Sequence, residues 1–409
     1  MATPAIGSSV LTRRGVLTAT ASSLLLSACG QGQPQDEAEP NGSASPGGPE
    51  LLIGVSLELT GRGAALGVLQ ERALRITLEA LNVDRVQVGN QRRSVRVLVR
   101  DNRSDPRLAA EQATDLIRKD RVHALLGTTL TETAMAVVGV AQRLQTPFVS
   151  VAPGDGIVLP LTQRTFIYKL TPDAVDVARR LARLISSRGL ERVALLAADG
   201  LHGDSGVRAV AAALRTAGVE LDRTVRLPRA GADVARAARE AVAGDPDGVV
   251  VWAAAPDSGS AARALRRARW RGPLFFDAAA VAEETVEGSN AAAVEGAYAV
   301  HPTCLTDSTS LMGTSTAALA RRELVFRYIH EYGGFSGFAP YASDALQLIA
   351  DAARLAGSVD RGRLRAYLQT QVTEGMAGWY AFAPIRHGGM DRDSLGAYQL
   401  TQGSWTRVS

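Results

Sequence analysis

The chain has 409 residues, enough for two lobes of ordinary size, and 46% of them are apolar, enough for sizeable cores. Its formal charge is +4, but Arg13 and Arg14, the only charged residues of 1–28, lie in a segment read below as removed, so 45 basic residues become 43 against 41 acidic ones. That balance is too even for nucleic acid to be the partner, and two cysteines, Cys29 and Cys304, with no CxxC and no clustered His/Cys set, give no basis for a structural zinc site.

The N-terminus reads SSVLTRRGVLTATASSLLLSACGQGQPQ. A twin arginine precedes an apolar run from Gly15 to Ala28, which suits the apolar core of an export signal and falls short of the ~20 residues needed to span a bilayer. LTRRGVL resembles a twin-arginine export signal, with Val16 in place of the usual bulky aromatic. LSAC, from Leu26 to Cys29, resembles the bacterial lipobox, in which a leucine and two small residues precede a cysteine whose thiol carries diacylglycerol. Residues 30–49 are rich in Gly, Pro, Ser and Gln with no apolar face, as in a flexible tether. Residues 1–28 are thus expected to be a signal peptide and 29–49 a lipid-anchored tether, with the fold starting near Glu50.

From Leu51 short apolar runs alternate with helical patterns. LLIGVSL reads as a strand, LTGRGAALG as a Gly-rich turn, and Val68–Asn82 as a helix with Leu69, Ala73, Ile76 and Ala80 on one face. VRVLVR alternates as a strand, and DNRSDPRLAAEQATDLIRKD opens a helix with Asp105 as N-cap and Pro106 in its first turn. VHALLG, a helix over TETAMAVVGVAQRL, and TPFVSV complete a βαβ series, which calls for a parallel sheet covered by helices. The series restarts at Thr171: helix Ala174–Ser187, strand RVALLAA, helix Ser205–Ala217, strand ELDRTVRL, helix Asp233–Ala243, strand GVVVWAA, helix Asp257–Arg269 and strand PLFF. Helices near Ala317–Glu331 and Tyr341–Ala356 and strands near Trp379–Phe382 and Ala397–Gln402 follow.

These stretches carry a resemblance. IGVSLELTGRGAALG, VRVLVRDNRSDPRLAAEQATDLIRKDRVHALLGTTLTETAMAV, TPFVSVAP, RVALLAADGLHGDSGVRAV and YASDALQLIADAARLAGSVD, in that order, look like the leucine/isoleucine/valine-binding protein family, the type I periplasmic solute-binding proteins of ABC importers. The resemblance implies an α/β fold of two Rossmann-like, doubly wound lobes joined by three crossings. Those crossings are expected near Leu170–Thr171, Ala297–Val300 and Thr373–Gly378, with lobe 1 made of 51–170 and 300–372 and lobe 2 of 171–297 and 378–409. It also implies a small-molecule ligand in the cleft, an ABC permease as partner, no cofactor and no catalytic or metal residues.

Residue by residue, the resemblance puts Thr131 at the family's ligand-carboxylate hydroxyl, Ala152 and Gly154 where backbone groups meet the ligand's head, and Leu66 at a side-chain contact. His202 falls on a ring-bearing position that covers the ligand, and Asp173 near a hinge position that reaches the cleft. The amino-acid binders place a glutamate after the strand written here PLFFDAAAVAEE, and by spacing this chain has Ala279 there, with Asp277 two residues earlier. Either Asp277 substitutes as the cation partner or the ligand has no α-ammonium. Trp252 ends an apolar strand and reads as core.

The string DGLHGDSG, residues 199–206, is reminiscent of a trypsin-like serine site. It joins a strand to a helix, though, and Val207 stands where both the GDSGG turn and the GxSxG elbow need glycine. It reads instead as a cleft loop carrying His202. The main reading is a lipid-anchored extracytoplasmic protein that captures a small polar ligand, an amino acid or related carboxylate, for ABC import. The alternatives are a ligand-sensing subunit of the same fold and an enzyme on a Rossmann-like scaffold, the latter disfavoured because no nucleophile–base pair or cofactor motif stands out.

Overall fold

The computed structural model describes residues 49–228, 233–305, 313–335 and 337–409. The export segment 1–28, Cys29 and residues 30–48 of the tether lie outside the described residues. The first lobe opens with β1 (Glu50–Leu57), α1 (Ala64–Asp84), β2 (Val86–Val88), β3 (Gln91–Asp101), α2 (Pro106–Arg118), β4 (Ala124–Gly127), α3 (Thr131–Arg143), β5 (Phe148–Ser150) and β6 (Ile167–Lys169). The second follows with α4 (Ala174–Ser187), β7 (Arg192–Ala198), α5 (Leu201–Ala217), β8 (Glu220–Leu227), α6 (Asp233–Val242), β9 (Gly248–Trp252), α7 (Asp257–Arg267), β10 (Leu274–Phe276), α8 (Glu283–Val286), α9 (Ala291–Val294) and β11 (Tyr298–Pro302). The chain returns to the first lobe for α10 (Thr316–Tyr332), α11 (Pro340–Ala356), α12 (Arg361–Leu368), β12 (Val372–Glu374) and β13 (Trp379–Ala381), and ends in the second with β14 (Leu395–Thr401) and β15 (Ser404–Arg407).

The sheet orders are β2-β3-β1-β4-β5-β6 and β15-β14-β11-β10-β9-β7-β8. The first is parallel except for β2, and the second is parallel from β8 to β11 with β14 and β15 antiparallel. Each sheet is covered on both faces, and the strands show it. Leu126 of β4 packs into one core of its lobe and Leu125 into the other, while Val251 and Val250 of β9 divide the same way in the second lobe. Continuous apolar strands are what a doubly wound parallel sheet requires, because neither face meets water. The Asp105 carboxylate accepts from the amides of Arg107 and Leu108, and Pro106 opens α2, so that helix begins where its cap and proline put it.

Two of the three expected crossings fall later in the chain than expected. The first follows β6 at 170–173. The second comes after Pro302, not at 297–300, because Tyr298–Pro302 pairs with β10 on one side and β14 on the other and so stays in the second sheet. The third follows Met390, not 373–378. Asp344 of α11 accepts from the amides of Met376 (2.6 Å) and Ala377 (2.9 Å) and from the Tyr380 hydroxyl (2.7 Å), which fastens the β12–β13 hairpin to the first lobe. Among the described residues the lobes are therefore 49–169 with 303–305, 313–335 and 337–390, and 174–228 with 233–302 and 395–409.

At the first crossing Lys169, one of two lysines in the chain, is completely buried. Its Nζ lies 2.8 Å from Asp173 and 3.5 Å from Asp155, and donates to the carbonyls of Pro172 (3.0 Å) and Thr171 (3.1 Å). Burial alone would depress the ammonium, but the two carboxylates overcome it and hold its pKa above the ordinary value. Lys169→Met should lower the unfolding free energy by about 3 kcal/mol, the low end for a broken buried pair because both carboxylates keep some solvent contact. Urea melts read the change, and a midpoint within error of the parent would show the pair to be without net effect.

Candidate functional site

A pocket opens at the carboxyl ends of the strands, where α/β folds of this kind bind ligands. Pro153 and Gly154 follow β5, Thr171 and Pro172 follow β6, Trp252 closes β9, and Asp277, Ala278 and Ala279 follow β10. Ala174 and Val177 of α4 and His202 of α5 add to the second lobe's wall, and Phe338 and Tyr341 face them from the first lobe. The space left between these walls is about 20 Å³, room for about one water molecule.

Residues 201–206 of the string DGLHGDSG are helix, not loop. Gly200, at φ 106°, is the N-cap of α5, so the helix starts at Leu201, four residues before the expected start, and His202 stands in its first turn. The glycines explain the early start. A Cβ at Gly203 would strike the Ala198 carbonyl and one at Gly206 the indole of Trp252, so α5 lies directly on β7 and β9. Ser205 Oγ donates back to the Leu201 carbonyl (3.1 Å), and the His202 ring has no bond to it. His202 Nε2 instead meets Asp277 Oδ2 at 2.6 Å, and the ring lies against Trp252 with centroids 5.8 Å apart.

Of the residues offered from the sequence as ligand contacts, three line the pocket: Gly154, His202 and Asp277. Thr131 stands one layer behind, its hydroxyl donating to the Pro153 carbonyl, and its methyl would be 2.7 Å from a Cβ at Gly154, whose φ is +120°. Ala152 is buried in the wall, with its carbonyl accepting from Thr171 Oγ1 (2.8 Å). Asp173 holds Lys169 beside the crossing, and Leu66 is buried in the first lobe's core and does not line the pocket. Trp252 is both core and pocket wall, which the core reading only half captured. Phe338 and Tyr341 were missed altogether: they enter from the start of α11, far along the chain, with no local motif to mark them.

Asp277 is 1% exposed. Burial pushes its carboxyl up from the ordinary range. His202 pulls the other way, as do the Ala253 and Ala280 amides, although neither amide closes a hydrogen bond on Oδ1. Asp277 Oδ1, Trp252 Nε1, Tyr341 Oη and His202 Nδ1 are all buried without a protein partner. Glu58, fully buried, carries the turn into α3, accepting from the amides of Thr129 (2.6 Å) and Leu130 (3.4 Å) and from Thr133. It thereby sets the height of Thr131 and, through Pro153, of the pocket wall.

Because the folded protein holds the Asp277 proton above pH 3.8, where the unfolded chain releases it, the stability this proton contributes is full below 3.8 and is lost as pH rises through the folded-state value. Asp277→Asn should remove that part of the downward slope of unfolding free energy with rising pH. An identical slope in the variant would exclude Asp277 as its source.

The sequence model described as "Periplasmic binding protein" matches residues 50–402. No curated protein matches the chain in sequence. Among solved structures, an extracellular ligand-binding receptor from Rhodopseudomonas palustris is 23% identical with a TM-score of 0.79, the match covering 88% of this chain and 100% of that one. A leucine-binding protein from Thermotoga maritima is 20% identical with a TM-score of 0.75, covering 88% and 98%. A solute-binding protein of an ABC transporter from R. palustris, in complex with benzoate, is 18% identical with a TM-score of 0.75, covering 88% and 96%. At these identities the likeness is one of fold. The two doubly wound lobes, the pocket at their strand ends and the family match over almost the whole described chain place this protein in the periplasmic binding protein family.

Proposed function

We propose that this chain is an extracytoplasmic solute-binding protein, held to the membrane by a lipid on Cys29, that captures a small molecule between its lobes and presents it to an ABC permease. The observation that carries the reading is a single pocket wall built from both lobes at the first crossing, with Phe338 and Tyr341 on one side and His202, Trp252 and Asp277 on the other. No helix of the described residues is long and apolar enough to cross a membrane, so the anchoring proposal rests on the N-terminal lipobox alone.

The fold's relatives mark out two kinds of solute, amino acids in the leucine-binding protein and an aromatic acid in the benzoate complex. An amino acid's ammonium finds few partners here. By spacing, Ala279 stands where the resemblance expects glutamate, Gly154 brings no side chain, the Ala152 carbonyl is engaged by Thr171, and the one carboxyl of the lining, Asp277, is paired with His202. The aromatic lining favours the second shape.

A thermal-shift screen of the purified protein against amino acids, aromatic acids, amides and sugars tests the function, and at least one small solute should raise the melting temperature. If none does, the reading fails. With a hit in hand, Thr131→Ala should raise its Kd about tenfold by freeing the Pro153 carbonyl and loosening the wall at Gly154. An unchanged Kd takes Thr131 out of the site. Cys29→Ser should move the protein from the membrane to the soluble fraction of cells, and continued membrane association would sink the lipid anchor.

A further inference from the structure

We infer that the pocket selects an uncharged, planar aromatic solute bearing a hydrogen-bond donor beside an acceptor, of the carboxamide class. The inference rests on the solute-binding reading and narrows its substrate. Three sets of observations carry it: the charges around the pocket, the shape of its walls, and the buried polar atoms it leaves open.

Among the described residues no arginine or lysine lines the pocket, and its one carboxyl, Asp277, is already matched with the His202 ring at 2.6 Å. The nearest buried ammonium, Lys169, is held by Asp173 and Asp155. Helix starts would ordinarily favour an anion, but those that line this pocket are offset from within. The first amide of α4 donates to Asp155 Oδ1 (3.0 Å), and Asp176 stands in the same turn. Asp204 lies in the first turn of α5, and α11 begins with Pro340, which has no N–H. A carboxylate would thus meet acids and no counter-charge, while an ammonium would have to take Asp277 from His202. Burying either charge without a partner is costly.

The walls are flat. His202 and Trp252 pack together on the second lobe, and Phe338 and Tyr341 meet edge to face on the first, with centroids 5.2 Å apart. Between these pairs, Pro153, Pro172 and Val177 add apolar surface. Three polar atoms of side chains at least nine-tenths buried have no partner: the donor Trp252 Nε1, the acceptor Asp277 Oδ1, and Tyr341 Oη, which serves as either. A neutral aromatic amide offers a C=O to the donors and an N–H to the carboxyl, and stays in the plane of its ring.

Isothermal titration of the purified protein at neutral pH with three nearly isosteric probes decides the matter: benzamide, benzoate and benzylamine. Benzamide should bind at least about tenfold more tightly than either charged probe. Benzoate binding as tightly as benzamide would overturn the inference in favour of a carboxylate, and benzylamine binding more tightly would overturn it in favour of Asp277 as an open counter-charge. If none of the three binds while another solute in the thermal-shift screen does, the class is wrong and the solute-binding reading stands. If no solute binds at all, both fall. Trp252→Phe keeps a ring in the wall and removes the N–H, and should weaken benzamide about tenfold with no change in melting temperature of the ligand-free protein beyond a few degrees. Unaltered benzamide affinity in that variant would overturn the donor assignment.

Discussion

A parallel sheet delivers every following helix with its N-terminus toward the same end, so the cleft of this protein inherits several sets of amides that no helix can satisfy. How those amides are met decides what the cleft can hold. Here the chain meets several of them itself. Glu58 closes the turn before α3, Asp155 takes the first amide of α4, and a proline replaces the amide at the start of α11. Each choice removes an N–H that a ligand's carboxylate would otherwise have used. The pocket's polar chemistry then falls to side chains, with the His202–Asp277 pair, Trp252 and Tyr341 in the place that main-chain donors would have occupied.

Settling amides with acids has its own cost, because the acids must be balanced. Lys169 does this at the crossing. Asp155 comes from the loop after β5, in the first lobe, and Asp173 caps the entry to α4, in the second, so a single buried ammonium ties together the last wall of one lobe and the first helix of the other. The pocket residues Gly154, Thr171 and Pro172 lie along that same stretch. The electrostatic repair of the helix starts and the mechanical junction between the lobes are therefore one structure, and a change to the charge of either carboxylate bears on both.

Much of the fold was legible because its punctuation is local. Helix α4 and strands β7 and β8 have the bounds read from the sequence, where apolar runs end at charged or glycine-bearing turns. The start of α5 was not, since Gly203 and Gly206 look like loop residues in one dimension and are close-contact residues in three. The later crossings depend on long-range pairing: β11 stays in the second sheet because β14, almost a hundred residues on, lies beside it, and the β12–β13 hairpin stays with the first lobe because Asp344 is buried beneath it. The site followed the same rule. Gly154, His202 and Asp277 sit just beyond strand ends or in a first helical turn, positions the topology singles out, whereas Phe338 and Tyr341 reach the pocket only through the return of the chain. No local pattern marks Lys169, one of the chain's two lysines, as the buried cation of the crossing.

The division of the aromatic residues has a consequence for how capture proceeds. A ligand shifts a two-lobed protein toward closure only by as much as it prefers the closed form over the open one. Contacts confined to one lobe contribute equally to both forms and move nothing. Trp252 and His202 belong to one lobe and Phe338 and Tyr341 to the other, so a flat solute reaches both faces of the pocket only when the lobes are together. The unpartnered Trp252 Nε1 and Tyr341 Oη are split in the same way. Stacking and hydrogen bonding are therefore both realised on closure, which makes the pocket's selectivity and its drive to close two readings of the same free energy. Gly206 is where this begins: without a side chain there, the indole lies flat on α5, and the wall of the second lobe is in place before any ligand arrives.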